Sequence, residues 1–173
     1  MGAIEPEALG RMFDEHAPAL VLYARQWCGT PEDVVQDAFV KLARQHIQPE
    51  RMIPWLFRVV RNAAINARRD QEKRRKFEVQ SSVAGGGGSG GWFTSDDDRI
   101  DALHVTHLLA ELDLDTREVV VARFWGGLKF EEIARLQGCS LTTAHRRYQS
   151  GLAQLNERLE GKWIRQDPTP SGR

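Results

Sequence analysis

A chain of 173 residues that is 41% hydrophobic has material for one ordinary domain or two small ones, and no run of eighteen apolar residues offers a membrane span. Its 24 Lys and Arg balance its 24 Asp and Glu, but the signs are segregated: residues 51–76 hold nine cations against Asp70 and Glu72, and residues 96–118 hold eight acids against Arg99 and Arg117. Only two cysteines occur, Cys28 and Cys139, without C-x-x-C spacing, which excludes a disulfide framework and a zinc site; the amino terminus lacks a secretory pattern, so a soluble protein of a reducing cytoplasm is expected.

The first predicted helix covers Glu7 to Trp27, with Leu9, Met12, Phe13, Leu20 and Tyr23 on its buried side and a kink or break at Pro18. Gly29 ends it. Thr30 is then an N-cap, Pro31 fits the first helical position, and Asp33 sits where the helix dipole favours an anion. In this second helix Val34, Ala38 and Leu42 lie on one line with Val35 and Phe39 beside it. Asp33, Gln36, Asp37 and Lys41 point outward, either as a partner-binding face or as plain solvent surface.

Pro54 opens a third helix in which Leu56, Val60, Ala63, Ala64 and Ala67 share one side. Arg58, Arg61, Asn62, Asn66, Arg68 and Arg69 spread over the other, a combination suited to phosphates and exposed base edges. Trp55 falls on this polar arc. Its ring either stacks on an unpaired base or covers the end of the core.

Between residues 77 and 98 the composition turns to Gly and Ser around Trp92 and Phe93, which predicts a flexible linker between residues 1–76 and residues 99–165, with a frayed tail at 166–173. A helix over about Ile100 to Glu111 follows, with Leu103, Leu108 and Leu109 apolar; His104 and His107 lack a third metal ligand, so no metal and no cofactor is expected. Asp115 and Glu118 resemble a capping box for a helix that ends at Gly126-Gly127.

The stretch from Phe130 to Leu155 reads as a helix-turn-helix. Phe130, Ile133, Ala134 and Leu136 pattern the first helix, Gly138 turns the chain, and Ser140 caps the second. There Leu141, Ala144, Tyr148, Leu152 and Leu155 form an apolar stripe. Thr142, Thr143, Arg146, Gln149 and Ser150, flanked by His145 and Arg147, lie opposite with groups that hydrogen-bond base edges and phosphates in a major groove. The expected fold is all-α: two small helical domains, the second carrying the helix-turn-helix.

Three segments in this order, DVVQDAFVKL, WLFRVVRNAAINARR and REVVVARFWGGLKFEEIARLQGCSLTTAHRRYQSGLAQL, resemble sigma factors of the extracytoplasmic-function class of the sigma-70 family. The resemblance implies a polymerase-clamp face at Asp33, Gln36, Asp37, Phe39 and Leu42. It implies a −10 strand-binding helix carrying Trp55, Arg58, Arg61, Asn62, Asn66, Arg68 and Arg69. It places the −35 reading face at Thr142, Thr143, His145, Arg146, Arg147 and Gln149, names core RNA polymerase and promoter DNA as partners, admits an anti-sigma factor, and implies no catalysis. The chain departs from the family pattern at Lys129, where a capping Ser or Thr is usual, and in a short connection before Trp55.

Two other classes fit less of the chain. A one-component regulator that binds duplex DNA without polymerase needs a dimer helix or ligand pocket, whereas the amino-terminal half carries a basic, Trp-containing helix. An enzyme acting on nucleic acid needs metal-ligand spacing that Asp33, Asp37 and Asp70 do not provide.

Overall fold

The computed structural model describes residues 4–45, 49–78 and 106–166, which are helices and connections without a strand. Three helices build the amino-terminal bundle: α1 (Pro6–Ala24), α2 (Pro31–Ala43) and α3 (Met52–Glu78). A helical stretch at residues 106–110 (α4) leads into α5 (Leu114–Phe124), α6 (Phe130–Gln137) and α7 (Leu141–Gln166). The Gly-rich segment with Trp92 and Phe93, the start of the Ile100 helix and the tail beyond Gln166 lie outside the described residues.

Helix α1 runs through Pro18 without the expected break. The missing amide deprives only the carbonyl four residues earlier, at exposed Asp14, and Pro18 itself is exposed, so water can take over the lost bond. The helix stops at Ala24, short of Trp27, as Trp27 and Cys28 turn back to donate backbone bonds to Ala24 O at 3.0 and 3.3 Å. Thr30 makes no side-chain cap, so α2 begins on the fixed φ of Pro31 with Glu32 and Asp33 in its first turn. Helix α3 begins two residues before Pro54, which sits in the first turn where a helical N–H has no intrahelical acceptor.

Val34, Val35, Ala38, Phe39 and Leu42 of α2 pack with Leu20, Tyr23 and Ala24 of α1 and with Leu56, Phe57, Val60 and Ala64 of α3. Phe13 meets Phe39 edge-on, with centroids 4.9 Å apart, and Tyr23 lies edge-on to Phe57 at 4.8 Å and to Trp27 at 4.9 Å. Those rings fix how α1 and α3 cross, since aromatic pairs favour this offset.

The cap of α5 is Asp113, whose Oδ1 accepts from Thr116 N at 3.0 Å, rather than the Asp115 and Glu118 pair expected from spacing. Glu118 therefore lies one turn inside the helix and is buried with Val119, Val120, Val121 and Ala122. Helix α5 packs on α7 at Gly151, where a Cβ would stand 2.6 Å from Val120 Cγ2 and 2.8 Å from Thr116 Cγ2. Glycine costs a helix interior roughly 1 kcal/mol relative to alanine, and here that cost allows close helix approach. Gly151→Val should lower the thermal midpoint of the carboxy-terminal helices, with overpacking of about 1–3 kcal/mol outweighing the gain in propensity. An unchanged or raised midpoint in a calorimetric scan would show the α5–α7 contact to be looser than described.

Candidate nucleic-acid interfaces

The turn between α6 and α7 follows from three local bonds. Gly138 takes φ +67, the left-handed geometry that a side chain resists, and Cys139 N then reaches Ala134 O at 2.9 Å. Ser140 Oγ accepts from Thr143 N at 3.1 Å and caps α7 as expected. At the start of α6 only half of a capping box forms: Lys129 N donates to Glu132 Oε2 at 2.7 Å, and an ammonium has no lone pair to return the bond.

These bonds aim the exposed first turns of α7 outward. Thr142, His145, Arg146, Gln149 and Ser150 are exposed, the arrangement the spacing predicts for a major-groove reading face. His145 also lies over Phe130, with ring centroids 3.7 Å apart, which restrains its imidazole. Two of the expected contact residues are turned elsewhere. Thr143 Oγ1 is 2.8 Å from Ser140 Oγ, and Arg147 donates from Nη2 to Asp115 Oδ2 at 2.5 Å and from Nη1 to Gln137 Oε1 at 2.9 Å. The apolar stripe also shifts: Ala144 and Gly151 are buried and Tyr148 and Leu155 partly so, whereas Leu141 and Leu152 are exposed, because the inward line of α7 passes through Gly151.

On α2, Asp33, Gln36, Asp37 and Lys41 are exposed together with Val40. Phe39 and Leu42, assigned to the same clamp face by resemblance, are instead core residues at 4% and 0% exposure and can act there only by shaping the helix. On α3, Arg58, Asn62, Asn66, Arg68 and Arg69 are exposed, with Arg68 Nε paired to Glu72 Oε1 at 2.8 Å. Trp55 is half-buried and, with Arg51 and Arg58, forms one wall of a cavity of about 330 Å³ whose other wall is Leu128, Glu132, Arg135 and Leu136. Trp55 packs against the edge of the core, as the second of the two sequence readings has it, and its exposed part faces the Leu128 and Leu136 side of this cavity.

Arg61 departs most from expectation. Its guanidinium turns from the polar face of α3 toward α5, where Nε reaches Glu118 Oε1 at 2.7 Å and Nη2 reaches Oε2 at 3.5 Å, while Cζ lies 5.8 Å from the centre of the Trp27 ring. Tyr23 donates its phenol to Oε1 at 2.5 Å, and Gln137 Nε2 donates to Oε2 at 3.0 Å. The Glu118 carboxylate, buried at 1% exposure, thus accepts from the amino-terminal and carboxy-terminal halves alike. Burial raises the Tyr23 pKa well above its ordinary value, and the neighbouring Glu118 charge adds to the rise. For Arg61, burial alone would lower the pKa, but the Glu118 hydrogen bonds and charge outweigh it and hold the guanidinium cationic. A second ion pair bridges the halves nearby, Arg51 Nη1 to Glu132 Oε1 at 2.7 Å.

Sequence reasoning placed Tyr23 among core candidates and Glu118 at a cap, and missed Phe57 and Gln137. A signal for Glu118 was present in the run EVVVA, since a helix apolar on every side is buried on every side, its acid included.

Comparison with known proteins converges on the same two halves. Residues 12–74 match the family described as Sigma-70 region 2, and residues 103–155 the family described as Sigma-70, region 4. The chain is 30% identical over 159 residues to the RNA polymerase sigma factor CarQ of Myxococcus xanthus, covering 88% of this chain and 90% of CarQ. It is 26% identical over 167 residues to the RNA polymerase sigma factor NccH of Alcaligenes xylosoxydans xylosoxydans, covering 91% and 89%. Among solved structures, the fold resembles CnrH in complex with the cytosolic domain of CnrY (TM-score 0.60, 24% identity, 91% and 90% covered). It also resembles the sigma factor RpoE in complex with the anti-sigma factor NepR from Bartonella quintana (TM-score 0.65, 21% identity, 89% and 98% covered). The chain belongs to the sigma-70 family and is an extracytoplasmic-function RNA polymerase sigma factor, whose partners are core polymerase and promoter DNA.

The two neighbouring arginines of α7 separate reading from architecture. Arg147→Ala should lower the thermal midpoint, because it leaves Asp115 and Gln137 without their shared donor, whereas Arg146→Ala should leave that midpoint within a degree or two. Equal midpoints for both variants would show that Arg147 does not brace α7.

Proposed function

We propose that the sigma-factor role of this chain is divided among three faces. The exposed side of α2 at Asp33, Gln36 and Asp37, with Val40 and Lys41, grips the polymerase clamp. The basic side of α3 carries Arg58, Asn62, Asn66, Arg68 and Arg69, with Arg61 and Trp55 at its edge, and holds the melted −10 strand. Thr142, His145, Arg146 and Gln149 of α7 read the −35 duplex. The observation that carries this division is the presence of two exposed polar helix faces, on α3 and α7, carried by different helices of one chain.

The chemistry of the two faces differs accordingly. A helix capped at Ser140 with Arg and Gln on its open side suits a major groove, where base edges present distinct donors and acceptors. Arginines interleaved with asparagines along α3 suit an unpaired strand, whose phosphates the guanidinium groups track while the amides meet base edges freed from the duplex. Thr143 and Arg147, bonded within the fold, support the −35 face from behind. The chain works without bond-making chemistry, in the cytoplasm beside polymerase and promoter; among the described residues no helix is long and apolar enough to cross a membrane. A protein inhibitor of the kind named for the RpoE complex is a further partner of this reading.

Transcription by core polymerase with the purified chain tests the assignment. Arg146→Ala should lower −35-dependent initiation, by roughly the 1–3 kcal/mol that a bidentate base contact contributes to discrimination. Asn62→Ala with Asn66→Ala should blunt preference among −10 strands, while Arg68→Ala with Arg69→Ala should weaken binding to all strands and flatten its salt dependence. Normal initiation by the Arg146 variant, or unchanged strand preference in the Asn pair, would remove the corresponding face from the proposal.

A further inference from the structure

We infer that Phe130, on the first helix of the hairpin, is a positioning residue for −35 reading, whose ring holds the His145 imidazole in a fixed attitude before DNA arrives. This role rests on the assignment of α7 to the −35 duplex and adds to it a residue that acts through another side chain. The geometry starts at the beginning of α6. Lys129 N donates to Glu132 Oε2 at 2.7 Å, which fixes where Phe130, the first residue of that helix, leaves the backbone. Its ring then meets two consecutive turns of α7. His145 stacks on it with centroids 3.7 Å apart and planes inclined by 30°, and Tyr148 meets it edge-on at 5.4 Å and 71°. The Arg123 guanidinium of α5 also lies over this ring, with Cζ 4.8 Å from its centre, and is itself tied by Nη1 to Leu128 O at 2.8 Å. Side chains from α5 and α7 therefore grip a ring that α6 supplies.

What the stack does follows from the freedom of a histidine on a helix surface. The torsion that turns an imidazole about its bond to Cβ is broad, so an unsupported ring samples many planes. A productive contact tolerates only about 10–20° of error, and few of those planes aim a ring nitrogen at a base edge. Ordering the side chain on binding opposes association, and a ring already held avoids most of that loss. The loss falls on the matched base, where the contact forms, so it lowers discrimination as well as affinity. Phe130 covers one face of the imidazole while the residue stays exposed, which leaves the ring edge with its nitrogens for a base. Of the four described reading residues, Thr142, His145, Arg146 and Gln149, His145 is the one set by a neighbouring ring. A Phe130 that only filled space beside Tyr148 would be replaced without loss of reading by any apolar side chain of similar size.

Holoenzyme assembled from core polymerase and the full chain, bound to a duplex library randomised over both promoter elements, tests this role when the retained DNA is sequenced. Preference at each position is the ratio of the favoured base to the mean of the others. His145→Ala should flatten the −35 positions that His145 reads. Phe130→Leu, apolar but without a ring, should lower the ratio at those same positions about threefold, within the range set by freeing one ordered side chain. Phe130→Tyr, which keeps the ring, should retain the parent ratios. Phe130→Leu combined with His145→Ala should match His145→Ala alone at those positions, because the ring then has nothing to position. Parent ratios in a Phe130→Leu chain that keeps its helicity by far-UV circular dichroism would overturn the role. So would a loss spread evenly over all −35 positions, or a combined variant flatter than His145→Ala, since either marks Phe130 as packing only. If Phe130→Leu loses helicity, Phe130→Met, which fills irregular gaps but is too flexible to hold a plane, decides by the same criterion. A His145→Ala chain with parent ratios throughout would remove His145 from the reading face and the role of Phe130 with it, whereas flattening by His145→Ala beside an unaffected Phe130→Leu would overturn the role of Phe130 and leave the reading face standing.

Discussion

A carboxylate removed from water has to be met by donors, and much of this structure is arranged around how Glu118 is met. Desolvating the charge costs several kcal/mol, which only well-placed hydrogen bonds and an opposite charge offset. Here the phenol of Tyr23, the guanidinium of Arg61 and the amide of Gln137 supply four donor contacts. Removing one partner from such a group typically destabilises by about 3–5 kcal/mol, because the charge remains buried and less satisfied. The contact is consequently strong when complete and intolerant of partial loss.

The segregated charges of the sequence acquire a physical meaning in this arrangement. The basic block of α3 and the acidic block that ends at Glu118 meet at the Arg61 contact, so a chain of zero net charge holds its halves together by charge while keeping cations for nucleic acid on the outer side of α3. A strongly basic chain would bind every duplex through phosphate alone, and its affinity would carry little sequence information. Neutrality overall, with local patches, suits a subunit that acts on DNA together with polymerase.

Features governed by neighbours along the chain were legible in the sequence. Gly138 and Ser140 announce the α6–α7 turn because a left-handed residue and a hydroxyl cap act within four positions. The apolar side of α3 from Leu56 to Ala67 is likewise visible as helical spacing. Features governed by distant partners were not. Arg61 has the spacing of a solvent-facing arginine, and what turns it inward lies 57 residues away at Glu118; Tyr23 and Glu118 are separated by 95. Periodicity also cannot tell a face covered by a neighbour from one left open, which is why Leu141 and Leu152 are exposed while Gly151, with no side chain to register in a pattern, is buried. Pro18 and Asp113 show the same limit locally: solvent can replace a lost helical bond, and an aspartate two positions earlier can take the capping role.

The phenol of Tyr23 gives the most direct view of the shared carboxylate. The chain holds two tyrosines, so Tyr148→Phe leaves Tyr23 as the one phenol to ionise. Because burial and Glu118 raise its folded pKa, the neutral phenol stabilises the folded chain fully below the unfolded value of about 10, and that contribution is lost as pH rises through the folded pKa. An ultraviolet titration of the Tyr148→Phe chain, with helicity and scattering followed in parallel, should show no phenolate through the ordinary tyrosine range and then a steep rise as the packing around Glu118 gives way. Smooth ionisation near pH 10, with helicity and radius unchanged, would contradict the account, since a phenol held between Trp27, Phe57 and the Glu118 carboxylate cannot ionise in place so easily.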